Sequence, residues 1–497
     1  MQETKTRISG ILMPVFSLPN KYGIGDFGED CYKFIDFLKD AGQKAWQILP
    51  LVETGFSNSP YSSVSSASFE PLYISPENLY KEGLIDKSDL TFSESDSKYV
   101  DYRYIRSIRT PLLRKAFSKF DRESKEFKAF VKSGRGEEYA LFTALKEKYG
   151  GKSFTLWGKE YKERDKKAIE RFKKENEEEY LFRLFLYFKA ESEWLAVKKY
   201  ANENGISIIG DLPLYVAEDS ADVWAHPELF KLDENYKPRK KAGVPPDYFS
   251  ADGQLWGNPV YDYDAHRKDG FSWWVNRLKR ALSIFDYVRI DHFRGLSAYY
   301  EIDKDSDSAK NGEWKKVPSD ELFSAVKSSL DDSKIIAEDL GIIDDGVKDL
   351  LKKTGYPGMK VLSFAFNGES NNPYLPEKLP YNSVCYTGTH DNDTLKGLLD
   401  KFSDWDRNNF INGERESLSK LSLTHVDPIT DAIRLGLRSE SKMFIMPMQD
   451  FLGLGTEYRI NEPGTVKDEN WSVRLEKAHF SGEVAKKLKK LTEEFGR

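Results

Sequence analysis

The sequence predicts an α/β fold closed as a single (β/α)8 barrel. Three observations predict it: eight short apolar runs suited to buried parallel strands, amphipathic helical patterns between many of them, and acidic residues at the ends of four of the runs. A chain of 497 residues can hold one large core with insertions or three ordinary domains. The continuous alternation of strand and helix, without an internal repeat or a Gly/Ser linker, favours the single barrel.

In order, the candidate strands are ISGILMPVFSL (8–18), AWQILPL (45–51), ISIIGDLPLYV (206–216), FDYVRIDHF (285–293), KIIAEDLG (334–341), KVLSFAF (360–366), SVCYTGTHD (383–391) and SKMFIMPMQDFLG (441–453). After the first, EDCYKFIDFLKDAGQ places Tyr32, Phe34, Ile35, Phe37 and Leu38 at helical spacing and ends near Gly42. SWWVNRLKRALSIF (272–285) does the same before the fourth strand. More than 150 residues separate the second and third strands, too many for a loop. Residues 52–205 are read as a mainly helical insertion at the barrel's C-terminal face, its charge runs forming solvated helix faces. Residues 217–262 are read as a second insertion, with KAGVPPDYFSADGQLWGNPVY as an ordered loop. The whole of 1–497 is then one catalytic barrel.

Composition narrows the function classes. A formal charge of −6 argues against an electrostatic footprint for nucleic acid. No apolar run reaches the ~18–20 residues of a membrane span, and MQETKTRISG has no signal-peptide core. Two cysteines, Cys31 and Cys385, cannot build a disulfide framework, which suits a cytoplasmic location. The aromatic content of 14% is high for so polar a chain, and serves either an aromatic core or platforms for sugar rings.

Catalytic groups of barrel enzymes stand at the C-terminal ends of strands. There this chain carries Asp211, then Arg289, Asp291, His292 and Arg294, then Glu338 and Asp339, then His390, Asp391 and Asp393. A single carboxylate at such a place is commonly a cap or an ion-pair partner. Asp211 and Asp393 each admit a capping role, Asp393 for TLKGLLDKF, and His292 is read as a packed residue on the opposite strand face. Carboxylates from four strands converging on one mouth suit glycosidic-bond chemistry, which needs a nucleophile and an acid about 5–5.5 Å apart in retaining enzymes. Arg289 and Asp291, two residues apart, share a strand face, so the cation is placed to favour an ionised Asp291, while burial and a neighbouring carboxylate favour a protonated Glu338. THDND (389–393) raises a metal site as the rival, but the six histidines lack the tight spacings of metal pairs; no cofactor or catalytic metal is expected, while the plentiful oxygen ligands leave a structural Ca²⁺ open.

Several stretches together, GIGDFG (23–28), NSPYSS (58–63), GDLPLYV (210–216), PPDYFSADGQLWGNPVY (245–261), RIDHFRG (289–295), AEDLG (337–341), GTHDNDT (388–394) and RINEPGT (459–465), resemble the 4-alpha-glucanotransferases, also called amylomaltases or disproportionating enzymes (glycoside hydrolase family 77), of the α-amylase clan. The resemblance spans about Ile8 to Val466. It implies Asp291 as nucleophile, Glu338 as general acid and base, and Asp391 as the third carboxylate that binds the 2- and 3-hydroxyls. It further implies Tyr61, Asp211, Trp256, Arg289, His390, Asn461, Pro463 and Gly464 as substrate-binding residues, with Trp256 in a loop over the cleft. The implied reaction is retaining transfer of an alpha-1,4-glucan segment to a 4-hydroxyl. Its implied partners are maltooligosaccharides, amylose or glycogen, with glucose or maltose as acceptors, on a monomer or homodimer. Local departures at KKVPSDELF (315–323), Glu377 and Ile460 leave the three carboxylates untouched. A plain hydrolase on the same barrel and a non-catalytic glucan-binding protein remain the alternatives.

Overall fold

The computed structural model describes residues 6–55, 57–90, 97–246 and 251–497. Asp247–Ser250 of the expected lid loop lie outside the described residues.

Twelve strands form. They are β1 (Ile8–Leu12), β2 (Ala45–Gln47), β3 (Ser207–Leu212), β4 (Lys240–Val244), β5 (Gln254–Pro259), β6 (Tyr287–Ile290), β7 (Ala298–Asp303), β8 (Glu313–Lys316), β9 (Ile335–Ala337), β10 (Gly358–Val361), β11 (Ser383–Tyr386) and β12 (Met443–Pro447). Eight of them close a parallel barrel in the order β1-β12-β11-β10-β9-β6-β3-β2. Each of the eight apolar runs contributes residues to one barrel strand, and the strands lie towards the N-terminal end of the runs, β10 beginning two residues before its own. The polar residues that end the runs therefore lie at the mouth.

The barrel interior is packed, and towards the mouth it turns polar. The Tyr386 hydroxyl donates to Gln47 Oε1 at 2.8 Å, both side chains being buried. Asp211 and Arg289 are register partners on β3 and β6. Because residues two apart share a strand face, this polar layer and Asp291 stand in one line.

The outer helices follow their apolar spacing. Helix Glu29–Asp40 buries Cys31, Phe34, Ile35, Phe37 and Leu38. It ends where Gly42 takes a left-handed φ of 73° and the Gln43 N–H closes on the Leu38 carbonyl at 2.9 Å. Burial of each large apolar side chain there contributes about 1.5–3 kcal/mol. Helix Ser272–Ile284 packs likewise through Trp274, Leu278 and Ala281.

Between β2 and β3 the chain forms a run of helices ending in the 27-residue Glu177–Glu203, whose Trp194 indole donates to the Ile284 carbonyl at 3.0 Å. Phenylalanines bind these helices together, with ring centroids 4.9 Å apart for Phe120 and Phe185 and 5.1 Å for Phe120 and Phe127. Much of the aromatic excess is thus core. The helical reading of KKAIERFKKENEEEYLF… resolves into two helices, Lys166–Glu175 and Glu177–Glu203, joined at Asn176.

The excursion read as an ordered loop holds more structure than expected. Strands β4 and β5 join β7 and β8 in an antiparallel sheet of order β5-β4-β7-β8. Its strands, KKAGV, QLWGNP, AYYEID and EWKK, lack clean two-residue apolar alternation, so periodicity does not reveal them. Among the described residues no helix is long and apolar enough to cross a membrane.

Helices Asp404–Lys420 and Pro428–Arg438 bury Glu414, 1% exposed, and among the described residues neither carboxylate oxygen has a hydrogen-bond partner. Burial first, then Asp431 and Asp427, push its carboxyl up to about 10. The folded state therefore keeps a proton that the unfolded chain releases near the usual glutamate value, so this group weakens the fold progressively as pH rises from there towards 10. Glu414→Gln is expected to stabilise the protein by about 1–3 kcal/mol at pH 8 and by almost nothing at pH 4.5. Unfolding followed at both pH values checks this, and an equal gain at both would contradict it.

Candidate active site

Arg289 is the centre of the mouth. It is 3% exposed, and its Nη1 donates to both carboxylate oxygens of Asp211 at 2.8 and 2.6 Å. Its Nη2 lies 3.0 Å from Asp291 Oδ1. Asp291 is the first residue beyond β6, and its N–H donates to the Leu212 carbonyl at the end of β3. The expected shared face of Arg289 and Asp291 is present.

The end of β9 adds Glu338. Its N–H donates to the Ile290 carbonyl at 3.1 Å, and its own carbonyl accepts from the Phe293 N–H at 3.0 Å. Its side chain accepts from the backbone N–H of His292 at 2.7 Å and of Leu340 at 2.9 Å. The Glu338 carboxyl thus sits against the backbone one residue past Asp291.

Asp391 comes from the loop after β11. Its Oδ1 accepts from the Asn461 amide at 2.7 Å, and its Oδ2 lies 3.5 Å from His390 Nε2. Tyr61 donates to Asp211 Oδ2 at 2.8 Å and stacks on His390, centroids 5.3 Å apart at 14°. Trp256 stands on β5, 36% exposed and edge-on to the His292 ring at 4.9 Å. The structure therefore brings together Tyr61, Asp211, Trp256, Arg289, Asp291, Glu338, His390, Asp391 and Asn461. Pro463 and Gly464 lie in an exposed turn that follows, Gly464 with a left-handed φ of 74°.

Charge at this mouth is unbalanced: Asp211, Asp291, Glu338 and Asp391 face the single guanidinium of Arg289. Asp291 is pushed up to about 8, first by burial, then by Asp211, Glu338 and Asp391, against the pull of Arg289. Arg289 pulls the Asp291 carboxyl down, in the direction its place on the strand suggests, but burial outweighs that pull and the guanidinium is divided with Asp211. Glu338 is raised too, by burial first, against Arg289 and its two backbone donors. Two interacting carboxyls titrate as a pair, so Asp291 and Glu338 together retain a proton near neutrality. Burial lowers His390, which stands as a neutral imidazole, and holds the Tyr61 phenol well above its usual value.

The remaining residues of RIDHFRG support the site. His292 adopts φ 46°, an uncommon conformation for a residue with a Cβ, and its Nε2 has no hydrogen-bond partner among the described residues. Arg294 donates to the Ile342 carbonyl at 2.9 Å and lies 3.0 Å from Asp344 Oδ2 under the Trp314 ring, which ties the Asp291 loop to the Glu338 loop. Asp393 does not cap the following helix. Thr394 does, accepting the Gly397 N–H at 3.0 Å, while Asp393 accepts from Thr394, Thr456 and Lys401.

Sequence reasoning missed some supports. Arg459 donates to the Asp391 carbonyl at 2.7 Å and to the Asn461 carbonyl at 2.6 Å. Asp450 holds the same loop, accepting the Thr387 hydroxyl and the Leu395 N–H. Trp471 packs its ring near Tyr61 and His390. RINEPGT was visible as a motif; Asp450 and Trp471 carried no local signal.

A cavity of about 760 Å³ lies between helix Ser272–Ile284, residues 63–68 and residues 221–229. It reaches Asp211 but none of Asp291, Glu338 or Asp391. Among the described residues no group of three or more His, Cys, Asp and Glu side chains is arranged to hold a metal ion.

Comparison with known proteins agrees with this geometry. The family model described as 4-alpha-glucanotransferase, glycoside hydrolase family 77, matches residues 13–479. The chain is 41% identical over 496 residues to a 4-alpha-glucanotransferase of Clostridium butyricum, covering 98% of this chain and 100% of that protein. It is 39% identical over 508 residues to one of Thermus thermophilus, covering 98% of each. The solved amylomaltase of Streptococcus agalactiae in complex with acarbose superposes with a TM-score of 0.94 at 37% identity, over 99% of this chain and 100% of that one. A family match over nearly the whole length, on a barrel whose mouth gathers these carboxyls, leaves one assignment: the chain belongs to the 4-alpha-glucanotransferase family.

Proposed function

We propose that the protein transfers a segment of an alpha-1,4-glucan to the 4-hydroxyl of another glucan, or of glucose or maltose, by retaining double displacement. The observation that carries this reading is the Asp291–Glu338 pair on neighbouring strands, one carboxyl touching Arg289 and the other held by neutral backbone donors. Direct contact with the guanidinium favours charge on Asp291, which leaves the retained proton to Glu338.

In the first step the Asp291 carboxylate attacks C1 of the donor sugar. Glu338 delivers its proton to the glycosidic oxygen, and the reducing-end fragment departs as an alcohol. In the second step the acceptor 4-hydroxyl gives its proton to the Glu338 carboxylate and attacks C1, breaking the ester to Asp291. The bond broken and the bond formed are of one kind, so each cycle is near thermoneutral. Transfer prevails over hydrolysis only if acceptor sugar displaces water from the cleft. Trp256 on β5, exposed beside His292, is the ring assigned to that acceptor side.

Asp391 is assigned to the 2- and 3-hydroxyls of the donor sugar, as the third carboxylate. With Oδ1 held by Asn461, its Oδ2 is the oxygen left for a hydroxyl. Asn461 thereby serves Asp391 rather than the sugar directly. His390, Tyr61 and Asp211 line the same donor position. In this assignment Arg289 orients Asp291, and Pro463 and Gly464 belong to the rim.

Incubation with maltotriose alone tests the reaction class. Glucose and a ladder of longer maltodextrins are expected, with little gain in reducing ends; a steady rise in reducing ends would indicate a hydrolase, and no change a binding protein. Glu338→Gln is expected to lose about 10²–10⁴-fold in kcat. Asp291→Asn is expected to be at least as severely impaired, with glucan binding retained in both; full turnover in either variant would remove its assigned role. Burial holds that proton on the Asp291–Glu338 pair above the usual carboxylate range, so kcat/KM is expected to fall on the alkaline side of neutrality as the pair gives it up. A profile still rising at pH 9.5 would contradict the assignment.

A further inference from the structure

Glu338 owes its place to a residue that is not part of the cleft. Strand β9 stops at Ala337, and β9 and β10 share a single register pair, Ala337 with Gly358. Past that pair β9 turns its next residue, Glu338, towards Asp291. In a regular parallel ladder the Met359 N–H would seek a backbone carbonyl on the neighbouring strand. Here it donates instead to Asp339 Oδ1, at 2.6 Å. Asp339 Oδ2 accepts from Lys360 Nζ at 3.0 Å. The carboxylate is 5% exposed and fills the place a side chain on residue 358 would need: a Cβ on Gly358 would meet Asp339 Oδ2 at 2.5 Å. Met359, in turn, carries the sulfur against which Arg289 Nε lies at 3.4 Å.

We propose that Asp339 and Lys360 form a positioning pair for Glu338: Asp339 bridges the gap in the β9–β10 ladder so that Glu338 projects to Asp291, and Lys360 sets how much of the Asp339 charge Glu338 feels. Neither residue touches the reacting atoms. The inference rests on the reading of Glu338 as the proton-bearing group.

The charged and titratable groups around the pair are few. Glu338 is faced by Arg289 and Asp291 from the end of β6 and by Asp339 beside it in the chain. Asp339 is faced by Lys360 on β10 and by the Tyr374 phenol, whose ring lies 5.8 Å from Lys360 Nζ. A negative charge behind Glu338 strengthens its hold on the proton, and a cation on that charge weakens the effect.

Two variants separate this role from simple scaffolding. Asp339→Asn keeps an oxygen for the Met359 N–H and removes the charge. Its alkaline limb of kcat/KM is expected to move to lower pH by about half a unit or more, since a close carboxylate commonly shifts its neighbour on this scale. Lys360→Met uncovers the charge, and its limb is expected to move to higher pH. Asp339→Ala, losing both charge and acceptor, is expected to lower kcat at least tenfold more than Asp339→Asn. Thermal midpoints measured alongside report on folding; should Asp339→Asn fail to fold, the Lys360→Met limb decides. Limbs that stay in place in both variants, or move in the same direction, overturn the proposal. Glu338→Gln distinguishes the two levels: a fully active Glu338→Gln would defeat the reading of Glu338 itself, whereas an inactive Glu338→Gln with unmoved limbs defeats only the positioning pair.

Discussion

The mouth of this barrel depends on one buried cation. Arg289 rises from β6 into a site where four carboxyls converge, and its guanidinium is divided between Asp211 on one side and Asp291 on the other. A guanidinium suits this place because its planar fork holds one carboxylate through Nη1 and offers a second direction through Nη2. Asp211 takes the closer contact, which leaves Asp291 partly compensated and able to change its charge state as a reaction requires. A lone Asp291 in this buried setting would hold its proton too firmly.

Around that cation each functional loop is tied to another element. The Asp291 loop is bound to the Glu338 loop through the His292 N–H and through Arg294. Glu338 is tied back to β10 by Asp339, and the Asp391 loop is held by Asn461, Arg459 and Asp450. Loops at the end of a barrel are otherwise its most mobile parts, and displacements of an ångström matter at a catalytic site. The ties account for why so many polar side chains at the mouth are buried: they serve the backbone of the loops, and few are left to meet a substrate.

Much of this was legible in the sequence, and the illegible parts share a cause. Each barrel strand is buried on both faces, so it reads as a compact apolar run, and the residue ending the run reads as a mouth residue; Asp211, Asp291, Glu338 and Asp391 were found this way. The antiparallel sheet of β4, β5, β7 and β8 was hidden because its strands mix lysine, glycine and glutamate with few apolar alternations. Asp393 was read as a cap, but Thr394 is the cap, since its shorter side chain reaches the Gly397 N–H while Asp393 is engaged by Lys401 and Thr456. Asn461 was placed with the sugar; its amide is committed to Asp391. For Asp393 and Asn461 the residue was visible, but partners such as Thr456 and Asp391, more than sixty positions away, were not.

By itself the sequence determined the barrel, the number of its strands and the family, because these depend on local apolar periodicity and on contiguous motifs. The tertiary structure decided how the charges are shared. That Arg289 serves two carboxylates, that burial and the neighbouring carboxyls lift Asp291 above the usual range against its pull, and that Asp339 closes the ladder behind Glu338 all depend on packing between strands that are far apart in the chain. Electrostatic energies fall off with separation and grow with burial, and neither quantity exists until the barrel closes.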